Sequence, residues 1–192
     1  MARPKEFDPA EALEKAMHLF WQKGYYDTSI RDLVEHTGVN YYGLYGEFEN
    51  KRGLFMAALD LYRDSVTKDL VEELGKPGAG VAAIRRSFDK LRRFAQEHGQ
   101  VGCLICNTAV ELAPHDADAA DRVRGHMAMF KTAFAKALKN AQRDGEIAGD
   151  KDVSALAEFL ATTTYSAGFL TRAGIAPAQV KRHIETALSL LA

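Results

Sequence analysis

Two cysteines, Cys103 and Cys106, are all the chain contains. That excludes a disulfide-stapled scaffold and makes a reducing, cytoplasmic setting the expected one. No apolar run approaches the roughly 20 residues needed to span a bilayer, so no membrane partner is expected. The opening MARPKEFDPAEALEK has no apolar stretch behind its basic residues and does not read as a secretory leader. Proline is scarce, and alternating apolar and polar positions, the period of a half-buried strand, are hard to find. A net charge of −1 provides no bulk attraction to nucleic acid or anionic lipid, so any polyanion must be held by placed contacts. An H-E-x-x-H pair, a dinucleotide fingerprint and a nucleophile–base motif are also missing. GKPGAG (75–80) lacks the G-K-[ST] end of a phosphate loop and reads as a linker.

What is present is helix, with an apolar share of 47% that suffices for a sizeable core. Asp8, Pro9 and Glu11 form the start signal of a first helix, a D-x-x-E capping box with proline at the first position. Its apolar face is Leu13, Ala16, Met17, Phe20 and Trp21, and Gly24 ends it. Thr28 is expected to cap a second helix with Ile30, Leu33 and Val34 inward. Asn40 is expected to cap a third and Asn50 a fourth, running from about Lys51 to Leu74. Five more follow: one ending at Gly99, one over Cys103–Leu112, one after Asp116, one over about 153–173, and one from Pro177. The fold class is all-α, with three helices in residues 1–49 and six in residues 50–192.

Residues 38–51, GVNYYGLYGEFENK, put three glycines and three tyrosines where the chain should pack tightly. Two short helices joined by a turn at Gly38 are the layout of a helix-turn-helix, whose second helix enters the DNA major groove. Gly43 and Gly46 would then permit close approach, and Tyr41 and Tyr42 occupy the first turn, where groove-reading side chains lie. Leu44 and Phe48 hold the helix to the core. Arg31, Lys51 and Arg52 sit at helix N-termini, where the helix dipole disfavours cations unless a phosphate lies between. Arg3 and Lys5 form an arm suited to the minor groove or backbone. Residues 1–65 nonetheless carry eight basic against eleven acidic side chains, so a few contacts on two copies must supply affinity.

GYYDTSIRDLVEHTGVNYYGLYGEFENKRGLFMAAL (24–59) resembles the TetR/AcrR family of bacterial transcriptional repressors at Gly24, Tyr25, Thr28, Ser29, Ile30, Asp32, Leu33, Gly38, Val39, Leu44, Tyr45, Phe48, Lys51 and Leu54. The resemblance implies a three-helix DNA-binding domain, a helical effector domain, and a homodimer formed by the last two helices on a palindromic operator. It also implies repression relieved by a small-molecule effector, with no enzymatic activity and no cofactor. By matched position, Thr28, Tyr45 and Lys51 are expected phosphate contacts, and Asn40, Tyr41 and Tyr42 base readers. Gly43 departs from the Ser or Thr usual there. GCLICNTAVELAPHD (102–116) is similar to a G-C-L motif in one branch of that family.

Cys103 and Cys106, three apart at a helix start, share a face, and the dipole lowers the pKa of a thiol placed there. They are redox candidates, with oxidants, electrophiles or thiophilic metals as signals; the plain alternative is two small buried hydrophobes. Phe88, Cys103, Asn107, Glu111, Phe130, Phe134 and Tyr165 are expected around an effector pocket, and Phe94, Phe159 and Phe169 are further candidates. His98, His115 and His126 match no compact zinc spacing and read as surface or capping residues, so no metal is expected. Ser166, Ala167 and Gly168 with Ile184, Leu188 and Leu191 suit a four-helix dimer seam. The rival is an all-helical C-x-x-C thiol peroxidase, but Ala109 and Val110 stand where such a protein places a histidine.

Overall fold

A computed structural model describes residues 7–192; Arg3 and Lys5 lie outside them. In chain order the α-helices are α1 (Pro9–Lys23), α2 (Ile30–Thr37), α3 (Tyr41–Phe48), α4 (Lys51–Ser65), α5 (Lys68–Gly75), α6 (Val81–His98), α7 (Leu104–Glu111), α8 (Ala117–Arg143), α9 (Val153–Arg172) and α10 (Pro177–Ser189). One 3-10 turn, Gly99–Val101, precedes α7. Among the described residues there is no strand.

Short polar side chains start most of these helices by satisfying orphan amides. Asp8, Asn40, Asn50, Asp116 and Asp152 each accept from an amide of the first turn. The capping box expected at Asp8 is not formed: Asp8 accepts from the Ala10 amide instead of that of Glu11, and the Glu11 carboxylate pairs with Lys15 at 2.7 Å. Gly38 ends α2 in the left-handed region (φ 75°), a conformation that glycine reaches without steric cost.

The core has two clusters. Phe20, Trp21, Leu33, Leu44, Leu54, Phe55 and Leu59 gather with Leu104, Ile105, Leu112 and Val123. Leu74, Ile84, Phe88, Phe130, Phe134, Leu138, Leu160 and Ile184 form the other. The boundary expected at 49/50 is therefore not a division of packing, since α4, α7 and the start of α8 complete the core of α1–α3. At 1.5 Å per residue the 27-residue α8 is about 40 Å long and joins both clusters.

The single helix expected from Lys51 to Leu74 is two. At the break, the Thr67 amide reaches back to the Tyr62 carbonyl at 3.3 Å and its hydroxyl donates to Arg63 O at 2.7 Å. A five-residue reach of this kind widens the turn. The bend follows from packing: Leu59 and Tyr62 belong to the first cluster, whereas Leu70 and Leu74 belong to the second.

Candidate nucleic-acid interface and effector cavity

The turn before α2 corrects one expectation at once. Ser29, not Thr28, is the cap, exchanging hydrogen bonds with Asp32 in a full capping box. Thr28 is 0% exposed and its hydroxyl donates to Gly24 O at 2.6 Å, so it closes the turn and has no hydroxyl to offer a phosphate. Ile30, expected inward, is exposed.

In α3, Tyr41 and Tyr42 are 48% and 84% exposed at the first turn, and Leu44 is buried beneath them. The Asn40 side-chain oxygen is occupied by the Gly43 amide at 2.9 Å, leaving its NH2 group outward. Gly43 faces the protein: a Cβ there would lie 2.8 Å from Val39 Cγ1 and 3.1 Å from Phe7 Cε1. Its smallness serves packing, in contrast to the expected approach to DNA, while Gly46 opens on empty space. The Tyr45 ring meets Tyr41 edge-on at 4.6 Å, and its hydroxyl is buried without a hydrogen-bond partner. Burial raises the Tyr45 pKa, and such an orphan hydroxyl is costly until it finds an acceptor.

The four described cations differ. Lys51 places its ammonium over the Tyr25 ring, 4.5 Å from the centroid, with no carboxylate pair among the described residues. Burial lowers its pKa. Arg52 does not face a phosphate. Its guanidinium grips Asp116 (2.6 and 2.9 Å) and Asp118 (2.6 Å) at the start of α8. Hydrogen bonding to those carboxylates raises the Arg52 pKa and holds the Asp116 carboxyl down to about 2. Arg31 is outward but pairs with Glu35 at 2.7 Å. Lys23, not singled out from the sequence, pairs with Asp32 at 2.9 Å.

Glu111 is a second correction. Instead of lining a pocket, its carboxylate accepts the amides of Tyr25 (2.9 Å) and Tyr26 (2.6 Å) in the α1–α2 turn. Gly24 leaves room for it, since a Cβ there would come within 2.7 Å of Glu111 Oε2. Nothing in local spacing signals a contact between residues 86 apart. The helix-turn-helix is thus fastened at two points, by the end of α7 and by the start of α8.

An apolar cavity lies between α4–α6 and α8–α10, lined in part by Tyr62, Phe94, Cys103, His126, Phe130 and Tyr165. Four expected lining residues are here: Phe94, Cys103, Phe130 and Tyr165. Phe88 and Phe134 stack on each other in the core at 5.6 Å. The Asn107 amide turns to Val101 O, outside the cavity. Phe159 and Phe169 point away from it altogether, as their exposure shows. Sequence reasoning missed Tyr62, and it placed His126 at the surface, whereas that ring is 2% exposed.

Cys103 is the N-cap residue of α7 and half-buried. The Cys106 thiol first, then the Cys106 amide and the Tyr62 hydroxyl (3.7 Å), hydrogen-bond its sulfur and hold its pKa down to about 7 against the effect of burial. Cys106 is pushed up by its hydrogen bond to the Cys103 sulfur and by burial; when Cys103 is protonated, the single Cys106 proton turns instead to Tyr165 O at 3.5 Å. The N-terminal thiol is therefore the more acidic of the pair. Gly168 permits this junction, as a Cβ there would lie 2.7 Å from Cys103 Cβ. Among the described residues no cluster of three or more His, Cys, Asp or Glu could hold a metal ion.

The residues expected at a dimer seam need revision. Ala167, Ile184, Leu188 and Leu191 are buried within the chain, and Gly168 packs on Cys103. The outer face of α9 instead presents Phe159, Thr162 and Phe169, and Ser166 Oγ meets His183 Nε2 of α10 at 2.6 Å.

Residues 12–58 match the family described as bacterial regulatory proteins, tetR family, and residues 80–187 match the tetracyclin repressor-like C-terminal domain. The HTH-type transcriptional repressor ComR of Escherichia coli (strain K12) is 40% identical over 160 residues, 82% of this chain and 76% of that protein. The uncharacterized HTH-type transcriptional regulator YezE of Bacillus subtilis (strain 168) is 33% identical across the full length of both. Among solved structures, a cysteine mutant of the TetR-family regulator CifR, complexed with 26-bp double-strand operator DNA, superimposes with a TM-score of 0.83. It is 26% identical, with 98% of each chain covered.

Proposed function

This chain belongs to the TetR family of bacterial transcriptional regulators, and on that premise we propose that it represses transcription as a homodimer on a palindromic operator, released by a signal received in the α4–α10 cavity. It is a DNA-binding repressor by family, not an enzyme, which removes the thiol peroxidase reading. The observation that carries the proposal is the paired exposure of Tyr41 and Tyr42 at the start of α3, on a helix-turn-helix fastened by Glu111 and Arg52 to the helices around the cavity.

Tyr41, Tyr42 and the Asn40 NH2 group are the base readers, and Lys51 is the backbone contact; Arg31 joins them if Glu35 releases it. Tyr45 takes its missing hydrogen bond from a phosphate once Tyr41 moves. Two copies pair through α9 and α10, with Phe159 and Phe169 from each at the seam. The signal is an apolar molecule, or chemistry at Cys103. Either acts at the start of α7, whose other end holds the Tyr25–Tyr26 turn, and so shifts the spacing of two recognition helices that must sit about one helical turn apart. A ligand does this only to the extent that it binds the two arrangements differently.

The test is selection of genomic fragments by purified protein at two salt concentrations, reduced and then mildly oxidised. One palindromic fragment retained under reduction and lost on oxidation, with loss abolished by Cys103→Ser, is the expected result. Oxidation without effect removes the thiol arm and leaves the apolar effector. Failure to select any fragment at either salt overturns the reading.

A further inference from the structure

The cavity is narrow. Its free volume is about 40 Å³, room for two or three waters at roughly 10–15 Å³ each. Its polar groups are nearly all committed. The hydroxyls of Thr67, Thr164 and Thr171 donate to the carbonyls of Arg63, Leu160 and Ala167, each four residues back in its own helix. Tyr62 donates to Cys103 Sγ, and Cys106 to Tyr165 O. Arg92 and His98 reach solvent, and one buried group is left over. His126 is 2% exposed, its Nδ1 lies 2.9 Å from the Tyr165 hydroxyl, and its Nε2 is buried with no hydrogen-bond partner.

The tautomer follows from that pair. A phenol donates more strongly than it accepts, and the Tyr165 hydroxyl meets no other acceptor among the described residues. It therefore gives its proton to Nδ1, and the neutral imidazole carries its own hydrogen on Nε2. Burial keeps the ring neutral, with a pKa lowered to about 4. Phe130 and Tyr62 flank it at 5.3 and 6.4 Å between ring centroids. A buried donor in an aromatic wall selects for one acceptor on an otherwise apolar body, and the one cation of the lining, Arg92, is already paired with Asp89 at 3.2 Å.

We propose that this cavity binds a small, neutral, largely apolar molecule through a single acceptor oxygen, such as that of a ketone, hydrogen-bonded to His126 Nε2–H. The inference rests on the effector reading for its location, and it names the ligand class. A molecule of this kind exceeds the free volume, so its entry parts the helices that line the site. The helix most directly placed to respond is α7, because its cap, Cys103, lines the same cavity.

Acetophenone is the probe, with ethylbenzene as its shape match lacking the acceptor and benzoate as its charged counterpart. Binding is read without DNA, by calorimetric titration and by the 15N shift of the His126 side chain, so that failure to repress cannot be confused with failure to bind. Acetophenone should move the Nε2 resonance and bind about tenfold more tightly than ethylbenzene, the worth of one added hydrogen bond. Benzoate should not bind. His126→Phe, which keeps an aromatic filler, should erase the ketone preference while ethylbenzene binding persists. Equal affinity for ketone and hydrocarbon, an unmoved Nε2 resonance at saturating acetophenone, or a ketone preference surviving in His126→Phe would each overturn the proposal.

Discussion

Glu111 holds Tyr25 across 86 positions of sequence, with a carboxylate oxygen 2.9 Å from the Tyr25 amide and the other oxygen 2.6 Å from the amide of Tyr26. The contact places the end of α7 directly on the turn that leads into the helix-turn-helix, while the start of α7 is Cys103 in the cavity wall. One eight-residue helix therefore touches both the proposed sensor and the proposed reader.

Glu111→Ala should lower the melting temperature by several degrees, because it strands a half-buried amide at a cost of about 1–3 kcal/mol. Glu111→Gln retains one acceptor oxygen and should recover part of that loss. Operator affinity in the absence of effector should fall less than the response to effector does. Thermal denaturation and operator titration with and without effector measure both; an undiminished response in Glu111→Ala would remove α7 as the link.

Lys51 and Arg52 are adjacent cations with opposite assignments. Lys51 is free of carboxylates among the described residues, so Lys51→Ala should weaken operator binding and reduce the slope of log affinity against log salt by about one phosphate's worth, ~0.9. Arg52 already holds Asp116 and Asp118, so Arg52→Ala should leave that slope unchanged and lower thermal stability instead. Binding titrations at three or four salt concentrations separate the two. A slope lost in Arg52→Ala would return that residue to the DNA face.

The sequence made α1 to α3 legible because their signals are local. Asn40 and Asn50 cap, Gly24 and Gly38 terminate, and Leu33 and Leu44 recur at helical spacing. Some misplaced residues, such as Thr28 on Gly24, have local partners, but Glu111 and Arg52 have partners far along the chain. From the sequence Glu111 reads as a pocket residue and Arg52 as a phosphate contact, and only folding brings Tyr25 and Asp116 to them. Phe134 shares a helical period with Phe130, as Phe88 does with Ile84, yet periodicity says only that a side chain faces inward, not whether it meets another ring or a void. The small residues of α9 misled for the same reason: Gly168 is small for Cys103, within the chain.

Glu49 joins α3 to α4 at φ 66° and ψ −52°, a tight turn closed by the Asn50 amide on Phe48 O at 2.7 Å. It is the one non-glycine residue with positive φ among those described. A side chain held in that region stores strain of order 1 kcal/mol. Glu49→Gly should therefore stabilise the fold by about that amount, offset in part by the greater freedom of glycine in the unfolded chain. Denaturant unfolding measures the net change. Glu49→Ala, which keeps the Cβ, should show no such gain.

His126 should give stability a pH dependence above the carboxylate range. Burial holds its folded pKa at about 4, whereas an unfolded histidine titrates near 6.5. Between those values the unfolded chain binds a proton that the folded chain refuses, so stability falls as pH drops from about 6.5 towards 4 and is unaffected below that. The loss should reach roughly 2 kcal/mol between pH 7.5 and 5. Burial raises the pKa of Tyr62 and Tyr165 and Arg63 stays charged, whereas Cys103, held down to about 7, loses its own contribution as pH falls from about 9 through 7, above the range in which His126 dominates. Asp116, Asp32 and Glu73, with pKa values lowered to about 2 by their ion-pair partners, lose their contributions only as pH falls from about 4. Urea unfolding at pH 6 and 5, below the Cys103 titration, should therefore show a decline in the native protein that is nearly absent in His126→Phe. An equal decline in both would place the titrating group elsewhere and the His126 ring in contact with water.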